Sequence, residues 1–241
     1  MRPPALADMR WPDADRAPRR VLVVPVGSLE QHGPHLPQDT DTRIAVEVAR
    51  RSCAGRQSVA LAPPFAIGAS GEHAGFPGTL SIGSDALATC LIELGRHASS
   101  HWPAMLLVNG HGGNAAAIGA ATARLRYEGR TCRVWHARLP GGDAHAGRVE
   151  TSLILALAPE AVRMELAVAG ERRPVDELMP MLRDRGVRAV SANGVLGDPS
   201  GASADEGERL LAQLTAELIE TLDGLLEGTA ERRVSAERSG R

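Results

Sequence analysis

The chain has 241 residues, enough for one sizeable core, and a single α/β domain is the simplest division. A formal net charge of −2 excludes the basic surplus of a general nucleic-acid binder, and no apolar run approaches membrane-spanning length. The three cysteines, Cys53, Cys90 and Cys132, share no close spacing, which predicts reduced thiols in a cytoplasmic protein.

Residues 1–20 mix Pro, Asp and Arg without an apolar stretch, so no signal peptide is expected and the segment reads as an irregular arm. The apolar run Val21–Val26 predicts a strand buried on both faces. It leads into Gly27-Ser28-Leu29-Glu30-Gln31-His32-Gly33-Pro34-His35-Leu36-Pro37, then a helix near Thr40–Ser52 that begins with Asp41. A short strand at Val59–Ala62 precedes a glycine-rich loop carrying Glu72, His73 and Phe76, and Ser84 opens a helix to about His97. Met105–Val108 is the third strand, ending in Asn109-Gly110-His111-Gly112-Gly113-Asn114; Asn114 is placed to cap the next helix, to about Tyr127. Cys132–Trp135 is the fourth strand, followed by a loop with His145, the acid Glu150 and an apolar helix, Thr151–Ala158. A strand-like Met164–Val168, a helix near Asp176–Arg185 and the run Val187–Val190 come next. Ser203–Glu206 has capping-box form and opens a last helix to about Leu226, beyond which residues 228–241 read as a frayed tail. Strands alternating with helices predict a three-layer αβα fold with a mostly parallel central sheet and the ligand site beyond the strand carboxyl ends.

Five of the eight histidines, His32, His35, His73, His111 and His145, sit near glycines in these loops, beside Glu30, Asp41 and Glu150. Each has a plainer reading: Glu30 as a cap or ion-pair partner, His35 as a turn residue, Asp41 and Glu150 as first-turn helix acids. Together they match the imidazole and carboxylate donors of a divalent-metal site, including paired sites bridged by a carboxylate.

The motifs Glu30-x-His32-Gly33-Pro34-His35-Leu36-Pro37, Asp41, Asn109-Gly110-His111-Gly112-Gly113-Asn114 and His145-Ala146-Gly147-x-x-Glu150-Thr151-Ser152 resemble the creatininase family of metal-dependent amidohydrolases. That resemblance implies an α/β fold, a binuclear divalent-metal centre and a homo-oligomer. It implies Glu30, His32, Asp41, His111 and Glu150 as metal ligands, with Asp41 bridging. Creatinine-hydrolysing members have a glutamate shortly after the third-strand histidine; here the position is Gly113, which argues against creatinine and for Glu150 as the carboxylate ligand. The segments 68–82, 140–147 and 191–199 further resemble one branch of the family, the creatininase-like peptidases of mycofactocin biosynthesis. That branch implies removal of a C-terminal Val-Tyr dipeptide from a modified precursor peptide. The alternative is hydrolysis of a small cyclic or formyl amide. Two divalent ions are expected, Zn2+ and/or Fe2+ with Mn2+ also compatible. On that resemblance Glu30/His111 and His32/Glu150 are expected to complete the two coordination sets, His145 to act on the oxyanion or the leaving amine, and His73 with Glu72 to position substrate.

Overall fold

The computed structural model describes residues 5–18, 20–139 and 141–239, with side chains described as far as residue 230. A four-stranded, all-parallel sheet in the order β2-β1-β3-β4 is built from β1 (Val21–Val26), β2 (Val59–Leu61), β3 (Ala104–Asn109) and β4 (Thr131–His136). β1 and β3 are buried along their whole length, as their apolar runs require. Successive residues of β1 serve opposite faces. Val21 and Val23 join Leu106 and Val108 against α2 (Thr40–Cys53), α5 (Arg148–Leu157) and α8 (Ala204–Ser239). Leu22, Val24 and Val26 join Met105 and Leu107 against α3 (Ser84–Ala98) and α4 (Ala115–Tyr127). The result is the expected three-layer α/β fold.

Pro25 lies inside a central strand, where a missing N–H would ordinarily break the ladder. Its carbonyl accepts from Phe65, on the side where β2 has already ended at Leu61, so no strand donor is lost. From β1 the chain crosses to β2 on one side, and β3 returns on the other. The carboxyl ends of β1 and β3, paired through Val26 and Asn109, therefore flank a topological switch point.

Several expectations are corrected. The arm is not irregular: residues 5–16 form a 3-10 turn, Leu6–Asp8, and α1 (Trp11–Arg16), with Leu6 packed on the α3/α4 core. Met164–Val168 is no strand but holds a 3-10 turn, Met164–Leu166, and Val187–Val190 forms the short helix α7 after α6 (Val175–Arg185). Asn114 does not cap α4 with its side chain. Half of the capping box forms: Ser203 Oγ accepts from the Glu206 N–H at 3.2 Å, while the Glu206 carboxylate turns to Arg148 and Ser152. The last helix runs on to Ser239, so the stretch read as a tail is helical as far as that residue. Residues 1–4 and 19 of the arm and 240–241 of the tail lie outside the described residues.

Candidate metal centre

Loops from the β1 and β3 ends, the first turn of α2 and the approach to α5 converge over the switch point. Asp41, in the first turn of α2, is at the middle of the cluster. Its Oδ1 faces His32 Nε2 at 3.1 Å, and its Oδ2 faces His111 Nδ1 at 3.2 Å. The Ser28 hydroxyl donates to Oδ2 at 2.6 Å and fixes the carboxylate plane. His32 keeps its other nitrogen, Nδ1, on the Glu30 carbonyl at 3.0 Å, and His111 keeps Nε2 on the Ala69 carbonyl at 3.1 Å. Each imidazole is thereby tied from behind by a backbone oxygen and presents its remaining nitrogen to Asp41, an arrangement typical of metal-ligating histidines.

Glu30 is fully buried, and neither carboxylate oxygen has a hydrogen-bond partner of acceptable geometry. His111 Nε2 and His73 Nε2 come within 3.1 and 3.3 Å of them as ion-pair neighbours. A buried, unsatisfied carboxylate is costly unless something charged completes it. Glu150 reaches back to the Ala146 N–H at 2.5 Å and lies 3.9 Å from His32 Nε2. Among the described residues, Glu30, Asp41 and His111 form one set with ligand spacing, and His32, Asp41 and Glu150 form a second. Asp41 belongs to both, so the donor chemistry and spacing fit two ions sharing one carboxylate. A third set, Glu30, His32 and His145, brings His145 to the same place.

The charge state follows from burial and from these neighbours. Burial disfavours a proton on His32, but the charge and hydrogen bond of Asp41, with Glu150 and Glu30 behind them, raise its pKa to about 10. His111 is likewise raised well above the usual histidine value, because Glu30 and Asp41 outweigh its burial. Against its own burial, Asp41 is held well below the usual carboxylate range by His32 and His111. Burial pushes Glu30 and Glu150 up. Burial and the neighbouring imidazoles push His73 down to about 2 and His145 down to about 4. Without metal, then, two imidazolium ions hold the centre together and two neutral imidazoles stand beside them.

The residues expected to position substrate sit closer to the centre than an outer wall would. His73 is buried and packs on His145 with ring centroids 4.5 Å apart, and Glu72 Oε1 lies 3.3 Å from His111 Nε2. A Cβ at Gly113 would fall 2.2 Å from Glu72 Oε1 and 2.3 Å from His111 Nε2, so only glycine leaves room for that carboxylate. Phe76 does face outward, lining a cleft of about 310 Å³ with Gln31, Pro34 and Leu36. The Arg188 guanidinium covers its ring at 5.3 Å. His35 bonds Thr151 Oγ1 at 2.9 Å, in keeping with a structural role.

Two residues of the site have roles that the sequence did not disclose. Asn114 is buried and stitches three loops: it accepts from the Ala69 N–H and donates to the Gly27 carbonyl and to Asn109 Oδ1. Gln31 is buried between two expected ligands and touches both His73 and His145. Only their position inside the motifs, as uncharged amides flanked by ligand types, could have pointed to them.

The family model for creatininase, described as creatinine amidohydrolase, matches residues 7–222. The chain belongs to the creatininase family. Membership makes it a hydrolase of C–N bonds. The protein named mycofactocin precursor peptide peptidase from Mycolicibacterium smegmatis is 52% identical over 200 residues, covering 80% of this chain and 81% of that protein. The protein of that name from Mycobacterium tuberculosis H37Rv is 48% identical over 207 residues, covering 82% of each. Solved creatininases superpose closely. A mutant creatininase of Zn-Zn type gives a TM-score of 0.75 at 26% identity over 90% of this chain and 96% of that one. A creatininase with Mn gives 0.74 at 26% identity, with the same coverage.

Proposed function

We propose that this chain is a metal-dependent peptidase that removes the C-terminal Val-Tyr dipeptide from the modified mycofactocin precursor peptide. The observation that carries the chemistry is Asp41, with one oxygen toward each of two histidines from separate ligand sets. The substrate reading draws on the relatives near 50% identity that bear the name of that peptidase. Glu30, Asp41 and His111 would hold one divalent ion, and His32, Asp41 and Glu150 the other. Zinc and manganese are named for the solved neighbours, and iron(II) suits the same N/O donors.

The chemistry supplied by such a pair is acidification of a water and polarisation of the scissile carbonyl. The chain's own groups do the rest. His145, neutral and outside the two sets bridged by Asp41, is the group assigned to steady the oxyanion or protonate the leaving amine. His73 and Glu72 border the reacting end of the substrate, and Phe76 the cleft beyond it. The reading of an extended chain over a small amide draws on the cleft lined by Gln31, Pro34 and Phe76, which shares the ligand-bearing loop through Gln31, the residue between Glu30 and His32.

We also assign the protein to the cytoplasm as a homo-oligomer. Three free cysteines, two of them buried, suit a reducing compartment. No helix among the described residues is long and apolar enough to cross a membrane. Ile67, Leu80 and Ile82 are exposed apolar residues of one loop region and suit contact with a second copy.

The test is incubation of metal-reconstituted protein with the modified, decarboxylated precursor peptide, read by mass spectrometry with and without chelator. Chelator-sensitive loss of Val-Tyr is the expected result. An intact peptide alongside bound metal would sink the peptidase reading and leave small-amide hydrolysis.

A further inference from the structure

Gln31 makes a set of contacts that fixes more than its own position. Its Oε1 lies 2.9 Å from the Gly33 N–H. Its Nε2 lies 3.0 Å from the Gly194 carbonyl, 2.9 Å from His73 Nδ1 and 3.0 Å from His145 Nε2. A backbone N–H can only donate and a backbone carbonyl can only accept, so Gly33 and Gly194 settle which end of the amide is which. One amide hydrogen goes to Gly194, and one remains for two imidazole nitrogens.

His145 Nε2 is also 2.8 Å from Gln31's own carbonyl oxygen. A bare nitrogen there would set lone pair against lone pair, so this nitrogen carries the hydrogen and donates it to that oxygen. The last amide hydrogen therefore belongs to His73 Nδ1, which must be bare to accept it. The hydrogen of His73 is then on Nε2, 3.3 Å from Glu30 Oε1. His145 turns a bare Nδ1 toward the same oxygen, at 3.8 Å.

We propose that Gln31 is a positioning residue that locks His73 and His145 in the Nε2–H tautomer, so that the centre meets an N–H donor from one ring and a bare nitrogen from the other. His73 is thereby excluded as a metal ligand at either nitrogen and keeps its Nε2–H on the side of Glu30 Oε1, 3.3 Å away. His145 can receive at Nδ1 the proton released when water adds to a carbonyl, then pass it to the departing nitrogen and return to its starting state. The pocket for this amide is built for it. Gly194 has φ +82°, and a Cβ there would fall 1.9 Å from Gln31 Oε1. The bridge between His145 and Leu196 clamps the same loop beside the ring it serves.

The tautomers do not depend on which amide is cleaved, so this proposal and the peptidase reading fail separately. The test is solid-state NMR of the full-length, zinc-loaded protein with nitrogen-15 in its imidazoles, assigned against His73→Asn and His145→Asn. Both rings should be neutral, protonated at Nε2 and bare at Nδ1. In Gln31→Glu an acceptor replaces the donor facing His73, so His73 should gain a proton at Nδ1 while His145 keeps its state. The same variant should lose about 10–100-fold in kcat, as other buried hydrogen-bond partners of site residues do. Wild-type protein with Nδ1 of His73 protonated would overturn the proposal without any variant, as would an unchanged His73 in Gln31→Glu.

Discussion

Metal uptake should release protons, and the structure says from where. Without metal, His32 Nε2 holds its proton between Asp41 at 3.1 Å and Glu150 at 3.9 Å, with a pKa of about 10. An ion that binds this nitrogen must displace that proton. Below pH 10 the apparent affinity therefore rises about tenfold per pH unit from His32 alone, or about 100-fold between pH 6.5 and 8.5. His111, also raised, steepens the dependence. Competition with a chelator of known protonation behaviour measures the affinity. Calorimetry in buffers of different ionisation heat counts the protons, and more than one should leave when the centre fills. The stability of the metal-free protein has the opposite slope. A folded-state pKa above the ordinary 6.5 stabilises fully below that pH and loses the contribution as pH climbs toward 10. Metal-free protein should thus weaken toward alkaline pH while the loaded form tightens. Affinity flat from pH 6.5 to 8.5, or no proton release, would refute the imidazolium-clamped centre.

Three further outcomes follow from particular contacts. Gly113→Ala drives a methyl to within 2.2 Å of Glu72 Oε1 and 2.5 Å of the Ala69 carbonyl. It should cost about 1–3 kcal/mol in denaturant melts and weaken the Glu30/His111 ion before the other, seen by metal analysis during stepwise chelation. Asn114→Ala strips partners from Ala69, Gly27 and Asn109 and should destabilise by about 3 kcal/mol, with loss of metal from both positions. Leu218→Ala, deep in the α2/α5/α8 core, should cost about 2–5 kcal/mol yet leave metal stoichiometry at full value in the folded protein. An Asn114→Ala protein as stable as wild type would contradict the stitching role; a Leu218→Ala protein that folds but fails to bind metal would contradict the separation of core from site.

What could be read in the sequence was whatever depends on near neighbours. The runs Val21–Val26 and Met105–Val108 had to be buried strands, and the acids and histidines just past them had to lie at one end of the sheet. Glu30, His32, Asp41 and His111 were therefore legible as neighbours, while the choice of these four with Glu150, beyond β4, as one ligand set came with the family resemblance. Gln31 was not legible, because its meaning comes from Gly194 and His145, far along the chain. The same limit misled the reading of Met164–Val168. Its composition suits a strand, but among the described residues no strand pairs with it, and Val168 is 59% exposed. Nor does composition disclose that Glu72 fills the space over Gly113. That fact belongs to the approach of two loops.

The last helix has a bearing on how the protein is made. Asp41 and Glu150 ride on α2 and α5, and the inner faces of both helices are covered by Leu211, Leu214, Leu218 and Leu222 of α8. Arg51 and Arg56, at and just past the end of α2, reach Glu208 and Asp223 of the same helix. A nascent chain that has reached residue 203 already contains every proposed ligand, but the two helices that carry the carboxylates still lack their backing. Tight metal binding should therefore await α8, whose leucines and carboxylates complete the support of both helices. A chain released at that point should show neither tight metal binding nor cooperative unfolding.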